Sequence, residues 1–108
     1  MKYLSRPEEL ILLTVWKLKD EAYGVQIRKY VQKMTGKYWS IGSIYVPLDR
    51  LENKGFLESE KGEATSERGG KSKRYYRITQ EGLDQLEALQ EIHKKFWQDL
   101  PDASFKKS

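Results

Sequence analysis

The chain has no cysteine and a single histidine. Without thiols there are no disulfides and no thiolate metal site, which fits a reducing compartment. One histidine leaves no metal-spaced cluster and little for general acid–base chemistry. The one glycine pair, Gly69-Gly70, is too short for a phosphate-cradling loop and falls inside a hairpin pattern. No apolar run approaches the ~18 residues of a membrane span, and no secretory signal pattern is present. These absences argue against an enzyme, a bound cofactor, a metal or a membrane partner. They lead us to expect a cytoplasmic protein.

At 108 residues the chain is the size of one domain. A domain this small is marginally stable alone and here lacks the usual covalent staples, so self-association is an expected way to bury more surface. The net charge of +4 is uneven: residues 1–27 are neutral, 28–77 carry +6, and 78–108 carry −2. The middle of the chain is the part suited to a polyanion.

The most informative stretch is Ser40–Ser59. Ile41, Ile44, Leu48 and Leu51 share one helical face, predicted to pack on the core. Gly42, Ser43, Val46, Asp49 and Asn53 lie opposite, with Tyr45 and Arg50 at the edges. Ser40 suits the N-cap and Gly55 the left-handed stop. Pro47 predicts a kink or an irregular start, because it has no N–H and its ring clashes one turn back. Phe56–Ser59 and Tyr75–Ile78 read as short strands, with a polar loop at 61–66. Between Arg68 and Arg77 there are five cations and no acid. A helix with a free N-terminal half fits the ~12 Å major groove, and a basic hairpin beside it fits phosphates or the minor groove. The expected fold class is mainly α with a small β wing: a winged helix-turn-helix plus a C-terminal helix.

Around this centre, Ser5-Arg6-Pro7-Glu8 forms a capping-box pattern that opens a first helix reaching about Lys19. Leu10 to Leu18 are apolar on most sides, so this helix needs cover on more than one face. A second helix is expected over about Val25–Thr35, with Val25, Ile27, Val31 and Met34 inward. Arg28, Lys29, Lys33 and Lys37 then face phosphates or solvent. Trp39 packs the following turn. Thr79 caps a last helix in which Leu86, Leu89, His93, Phe96 and Leu100 repeat at spacings of three and four. That seam is expected at a dimer interface, with His93 a packed or hydrogen-bonded seam residue. The expected division is 1–79 winged helix, 80–101 dimerisation helix and 102–108 tail.

These motifs together resemble the PadR-like transcriptional regulators. The resemblance runs from about Leu10 to Leu89. It rests on Tyr23-Gly24, on Gly42-Ser43-Ile44-Tyr45 with Leu48-x-Arg50-Leu51-Glu52 and Gly55, and on Gly70-Lys71-x-x-Arg74-Tyr75-Tyr76-x-Ile78-Thr79-x-x-Gly82. In the family the proline commonly follows the tyrosine directly; here Val46 intervenes before Pro47. The resemblance implies a bacterial or archaeal homodimeric repressor. It also implies, for the compact subgroup, an aromatic or drug-like effector near the dimer interface, for which Trp16, Phe96 and Trp97 are candidates.

The expected function is sequence-specific binding of double-stranded DNA by a homodimeric repressor at a palindromic operator. The candidate contacts are Ser40, Ser43, Tyr45, Val46, Asp49 and Arg50 on the helix, and Lys71, Lys73 and Arg74 on the wing. Arg50 is equally suited to pairing with Glu52 or another acid. The alternative is a winged-helix module that docks a protein rather than DNA, a reading that a neutral or acidic wing would favour.

Overall fold

The computed structural model describes residues 4–64 and 72–99. The order is α1 (Arg6–Leu18), a 3-10 turn (Lys19–Glu21), α2 (Gly24–Thr35), α3 (Ile41–Asn53), β1 (Leu57–Ala64), β2 (Ser72–Ile78) and α4 (Gln80–Trp97).

The capping box forms as its sequence predicts. Ser5 N donates to Glu8 Oε1 at 2.8 Å, and Glu8 N donates to Ser5 Oγ at 3.3 Å. From there α1 runs through the middle of the domain, burying Ile11, Leu12 and Val15. Ile27 and Val31 of α2, Ile44, Leu48 and Leu51 of α3, and Phe56, Leu57 and Tyr76 of the wing complete one core. Val25 and Met34 of α2 are exposed rather than inward.

The inner face of α3 differs from expectation at one position. Ile41 is 62 % exposed, whereas Pro47 is buried. The ladder on the core is therefore Ile44, Pro47, Leu48 and Leu51, spaced i, i+3, i+4 and i+7. The helix remains α-helical through Pro47. It forgoes the bond that a residue-47 N–H would make to the Ser43 carbonyl, and burial of the pyrrolidine ring offsets part of that loss. At its far end Gly55 N donates to Glu52 O at 3.0 Å and Phe56 N to Leu51 O at 2.9 Å. This crossed pair needs a left-handed residue, and Gly55 has φ 83°.

The wing strands are longer than the sequence suggests. β1 and β2 pair antiparallel from Leu57↔Ile78 through Ser59↔Tyr76 to Lys61↔Arg74, then resume at Ala64↔Ser72. One extra residue on β1 makes a bulge there. Residues 61–64, expected in a loop, are thus strand. No hydrophobic alternation marks residues 61–64; cross-strand pairing extends them, with the Tyr75 ring lying close over Gly62. Tyr23 adds an isolated bridge to Tyr75, and Tyr76 N donates to Ala22 O at 2.8 Å. The wing is thereby tied to the entrance of α2.

Thr79 caps α4, accepting from Gly82 N at 3.0 Å while its hydroxyl donates to Gly55 O at 2.7 Å. α4 then returns along α1. Leu89 is buried and Leu86 packs against the core. Two of the five expected seam residues are therefore covered within the chain itself. The part left open is at the end, where Phe96 is 81 % and Trp97 67 % exposed. Leu100 lies outside the described residues, as do Lys71 and the wing tip.

Candidate nucleic-acid interface

The outer face of α3 is built from its cap outward. Ser40 Oγ accepts from Ser43 N at 3.1 Å, and Ser43 Oγ donates to Ser40 O at 2.7 Å. Both hydroxyls are thus engaged in closing the helix start. Beyond them Tyr45, Val46, Asp49 and Arg50 are exposed along one side. Among the described residues Arg50 forms no ion pair. The expected alternative, Glu52, instead accepts from Ser59 Oγ at 2.7 Å. Arg74 Nη1 donates to the same hydroxyl at 2.9 Å. The guanidinium of Arg74 is therefore anchored to the wing's own strand, while that of Arg50 is free to reach outward.

Tyr45 explains the Tyr23-Gly24 pair. A Cβ added to Gly24 would lie 1.9 Å from the Tyr45 hydroxyl and 2.6 Å from its ζ carbon. The phenol thus lies directly across the first turn of α2, and only glycine leaves room for it. Next to it, Tyr23 meets Tyr75 edge to face with centroids 5.4 Å apart. Lys73 Nζ sits 4.2 Å above the Tyr23 ring, a cation–π arrangement that aims the wing cation toward the α2 entrance. The Tyr23 hydroxyl is held below the usual tyrosine range by the Gln26 amide that donates to it, against burial, with help from Lys73. Tyr76 is the opposite case. Burial pushes its hydroxyl up to about 12, and nearby Asp49 and Tyr45 add to the rise. It stays a neutral phenol beneath α3.

An opening of about 550 Å³ lies between α2 and α3, among Val25, Arg28, Lys29, Tyr38, Ile41 and Tyr45. Arg28 Nε donates to Trp39 O at 2.7 Å. Trp39 in turn donates from its backbone to Gln32 and from its indole to Thr35. That network packs the turn, as the sequence suggests for Trp39. It commits Arg28 to structure and leaves Lys29 exposed.

On the other side, α1 and α4 enclose a groove of about 630 Å³ lined by Leu13, Trp16, Leu86, His93 and Trp97 among others. Two of the three aromatics proposed for an effector, Trp16 and Trp97, meet here; Phe96 does not line it. The Lys19 ammonium covers one face of Trp16, 2.9 Å from the ring centre. His93 Nε2 lies 2.6 Å from Glu9 Oε2. Among the described residues no three His, Asp or Glu side chains gather as a metal site, and no helix is long and apolar enough to cross a membrane.

Sequence reasoning missed Ile41, Val25 and Tyr38 on the exposed side of the helix pair. It also missed both carboxylates of the α1 first turn as long-range partners. Their partners lie 46 and 84 residues away, and no local pattern encodes such a distance.

Three helices, a two-stranded wing tied to the entrance of α2, and an α3 whose outer face is open define a winged helix-turn-helix protein. Residues 12–88 match the transcriptional regulator PadR-like family, and the chain belongs to that family of regulators. A PadR family transcription regulator from Clostridium difficile R20291 is 31 % identical, with a TM-score of 0.65 over 86 % of this chain and 88 % of that one. A PadR-like transcriptional regulator from Bacillus cereus is also 31 % identical, with a TM-score of 0.63 over 83 % and 79 %. A PadR-like transcription factor from Bacteroides fragilis reaches a TM-score of 0.72 at 29 % identity, over 82 % and 81 %. No curated protein matches the chain. The fold and family expected from the motifs are those found, and the family is one of regulators rather than enzymes.

Proposed function

We propose that this regulator is a homodimeric repressor that occludes a promoter by binding a palindromic operator. The observation that carries the reading is the open outer face of α3, with Tyr45, Val46, Asp49 and Arg50 exposed beside a cationic wing. Arg50 has the donors to address a guanine edge, and Val46 can meet a thymine methyl. Ser40 and Ser43 present the α3 N-terminus to a phosphate, and Lys29, Lys71 and Lys73 add charge along the backbone. Arg74 serves mainly to hold the wing in place.

Dimerisation through the end of α4 is supported by the exposed Phe96 and Trp97, the latter sharing a groove with the half-exposed Trp16 and Leu13 of α1. Leu89 and His93 lie earlier on the same helix. Two-fold symmetry then places the two α3 helices in half-sites about one helical turn apart. An apolar, aromatic small molecule is the proposed effector, with the Trp16–Trp97 groove as its place.

Selection from a random duplex pool tests this. Enrichment of a palindrome whose affinity falls steeply with salt is the expected result. Salt-sensitive binding without enrichment would leave only a non-specific binder. No binding at low salt would favour a protein-docking module instead.

A further inference from the structure

Glu8 and Glu9 are consecutive residues in the first turn of α1, and each holds a different helix. Successive residues on a helix point about 100° apart, so the two carboxylates diverge. Glu8 Oε2 takes the Lys54 ammonium at 2.9 Å, while its other oxygen accepts from Ser5 N at 2.8 Å. Glu9 Oε2 meets His93 Nε2 at 2.6 Å, and its other oxygen lies 3.9 Å from Arg6 Nε. Glu8 is buried and Glu9 nearly so. Lys54 is the C-cap of α3, directly before Gly55 and four residues from Arg50. His93 is held to α1 about one turn before the exposed Phe96 and Trp97.

We propose that the first turn of α1 is a coupling element through which α4 sets the position of the recognition helix α3. His93, Glu9, Glu8 and Lys54 are its positioning residues. The proposal rests on the DNA-binding reading above. Burial of Ile44, Leu48 and Leu51 seats α3 on the core through a driving force that is itself non-directional. The directed contact of the Lys54 ammonium with the Glu8 carboxylate adds a directional restraint at its C-terminal end. The capping box makes the turn between the two pairs stiff, because Ser5 and Glu8 lock each other. A movement of α4, from a partner subunit or from a ligand in the adjoining groove, would pull on Glu9 through His93. The turn moves as a unit, Glu8 follows, and Lys54 carries the end of α3 with it. Arg50 and Asp49 then change height in the major groove. Coupling of this kind is reciprocal, so DNA bound at α3 must be felt at His93.

His93 is the only histidine, so its imidazole signals in the full chain can be followed by NMR without ambiguity. The probe is a duplex of about two helical turns, added to wild type and to Lys54→Met, which keeps the aliphatic stem. We expect duplex binding to shift the His93 signals of wild type, and Lys54→Met to bind duplex with that shift largely gone. Duplex affinity should fall about fivefold or more in His93→Ala and in Lys54→Met, and no further in the double variant. A merely structural pair would not make His93 respond to DNA. Should Lys54→Met unfold, Lys54→Gln takes its place. Wild-type His93 signals that ignore bound DNA would overturn the coupling alone, as would equal shifts in the lysine variant or simply additive losses. A wild type that binds no duplex would overturn the regulator reading and the coupling with it.

Discussion

At the scale of the residue, two close approaches decide how α3 is presented. The Tyr45 phenol occupies the space where any Cβ at position 24 would stand. Gly24→Ala should therefore destabilise the domain by about 1–3 kcal/mol, through the displaced ring. Urea unfolding of Gly24→Ala, Tyr45→Ala and the double variant checks this: the double variant should cost clearly less than the two singles combined. Additive costs would mean that the ring does not sit against Gly24 in solution. The second approach is Lys54 to Glu8. Burial alone would raise the Glu8 carboxyl, but the Ser5 N–H, the Lys54 ammonium and the Ser5 hydroxyl more than offset it. Its pKa thus lies below the ordinary 4.5. A depressed carboxylate contributes stability that is complete above the unfolded value and drains as pH falls through the folded one. Between about pH 6 and about pH 3, wild type should thus lose more unfolding free energy than Glu8→Gln. Equal losses in the two proteins would remove Glu8 from the acid response.

At the scale of the element, the wing and α3 are joined by few but directed contacts. Lys73 over Tyr23, Arg74 on Ser59 and Ser59 on Glu52 tie the hairpin to the helices. If Lys73 and Lys71 touch phosphates, replacing either with alanine should weaken binding to all sequences. The slope of log affinity against log salt should shrink by about 0.9 for each phosphate no longer neutralised. Unchanged slopes in both would take the wing out of the DNA-binding argument. The end of α3 depends on Gly55, whose φ of 83° carries the crossed hydrogen bonds. Gly55→Ala should cost about 1 kcal/mol in thermal or urea unfolding, because a Cβ strains the left-handed conformation.

At the scale of the whole molecule, α4 serves two ends. Its first half closes the core with Leu86 and Leu89; its last turn leaves Phe96 and Trp97 outside. Phe96→Asp touches little within the chain and should leave unfolding free energy within about 0.5 kcal/mol of wild type. It should nevertheless weaken self-association, seen by sedimentation velocity, and with it the affinity for a two-half-site operator. A variant that sediments as wild type would place the dimer contact elsewhere on the surface.

The sequence by itself determined the elements and most of the helix ends. Ser5 with Glu8, Ser40, Gly55 and Thr79 mark boundaries through hydrogen bonds spanning a few residues, and such chemistry is legible locally. The helical period of α1 and α3 and the basic run in the wing were likewise enough for the fold class. What only the tertiary structure decided is which side chains are committed and which are free. Pro47 takes the place on the core expected for Ile41, which as the first residue of α3 stands exposed at the helix start. The wing strands lengthen because their partners, not their own apolar pattern, hold them. Arg74 is bound and Arg50 open because Ser59 comes between Glu52 and the wing. The Lys54–Glu8 and His93–Glu9 contacts join residues far apart in the chain. Directed contacts over such separations exist only once the core has brought the helices together, and no local periodicity announces them.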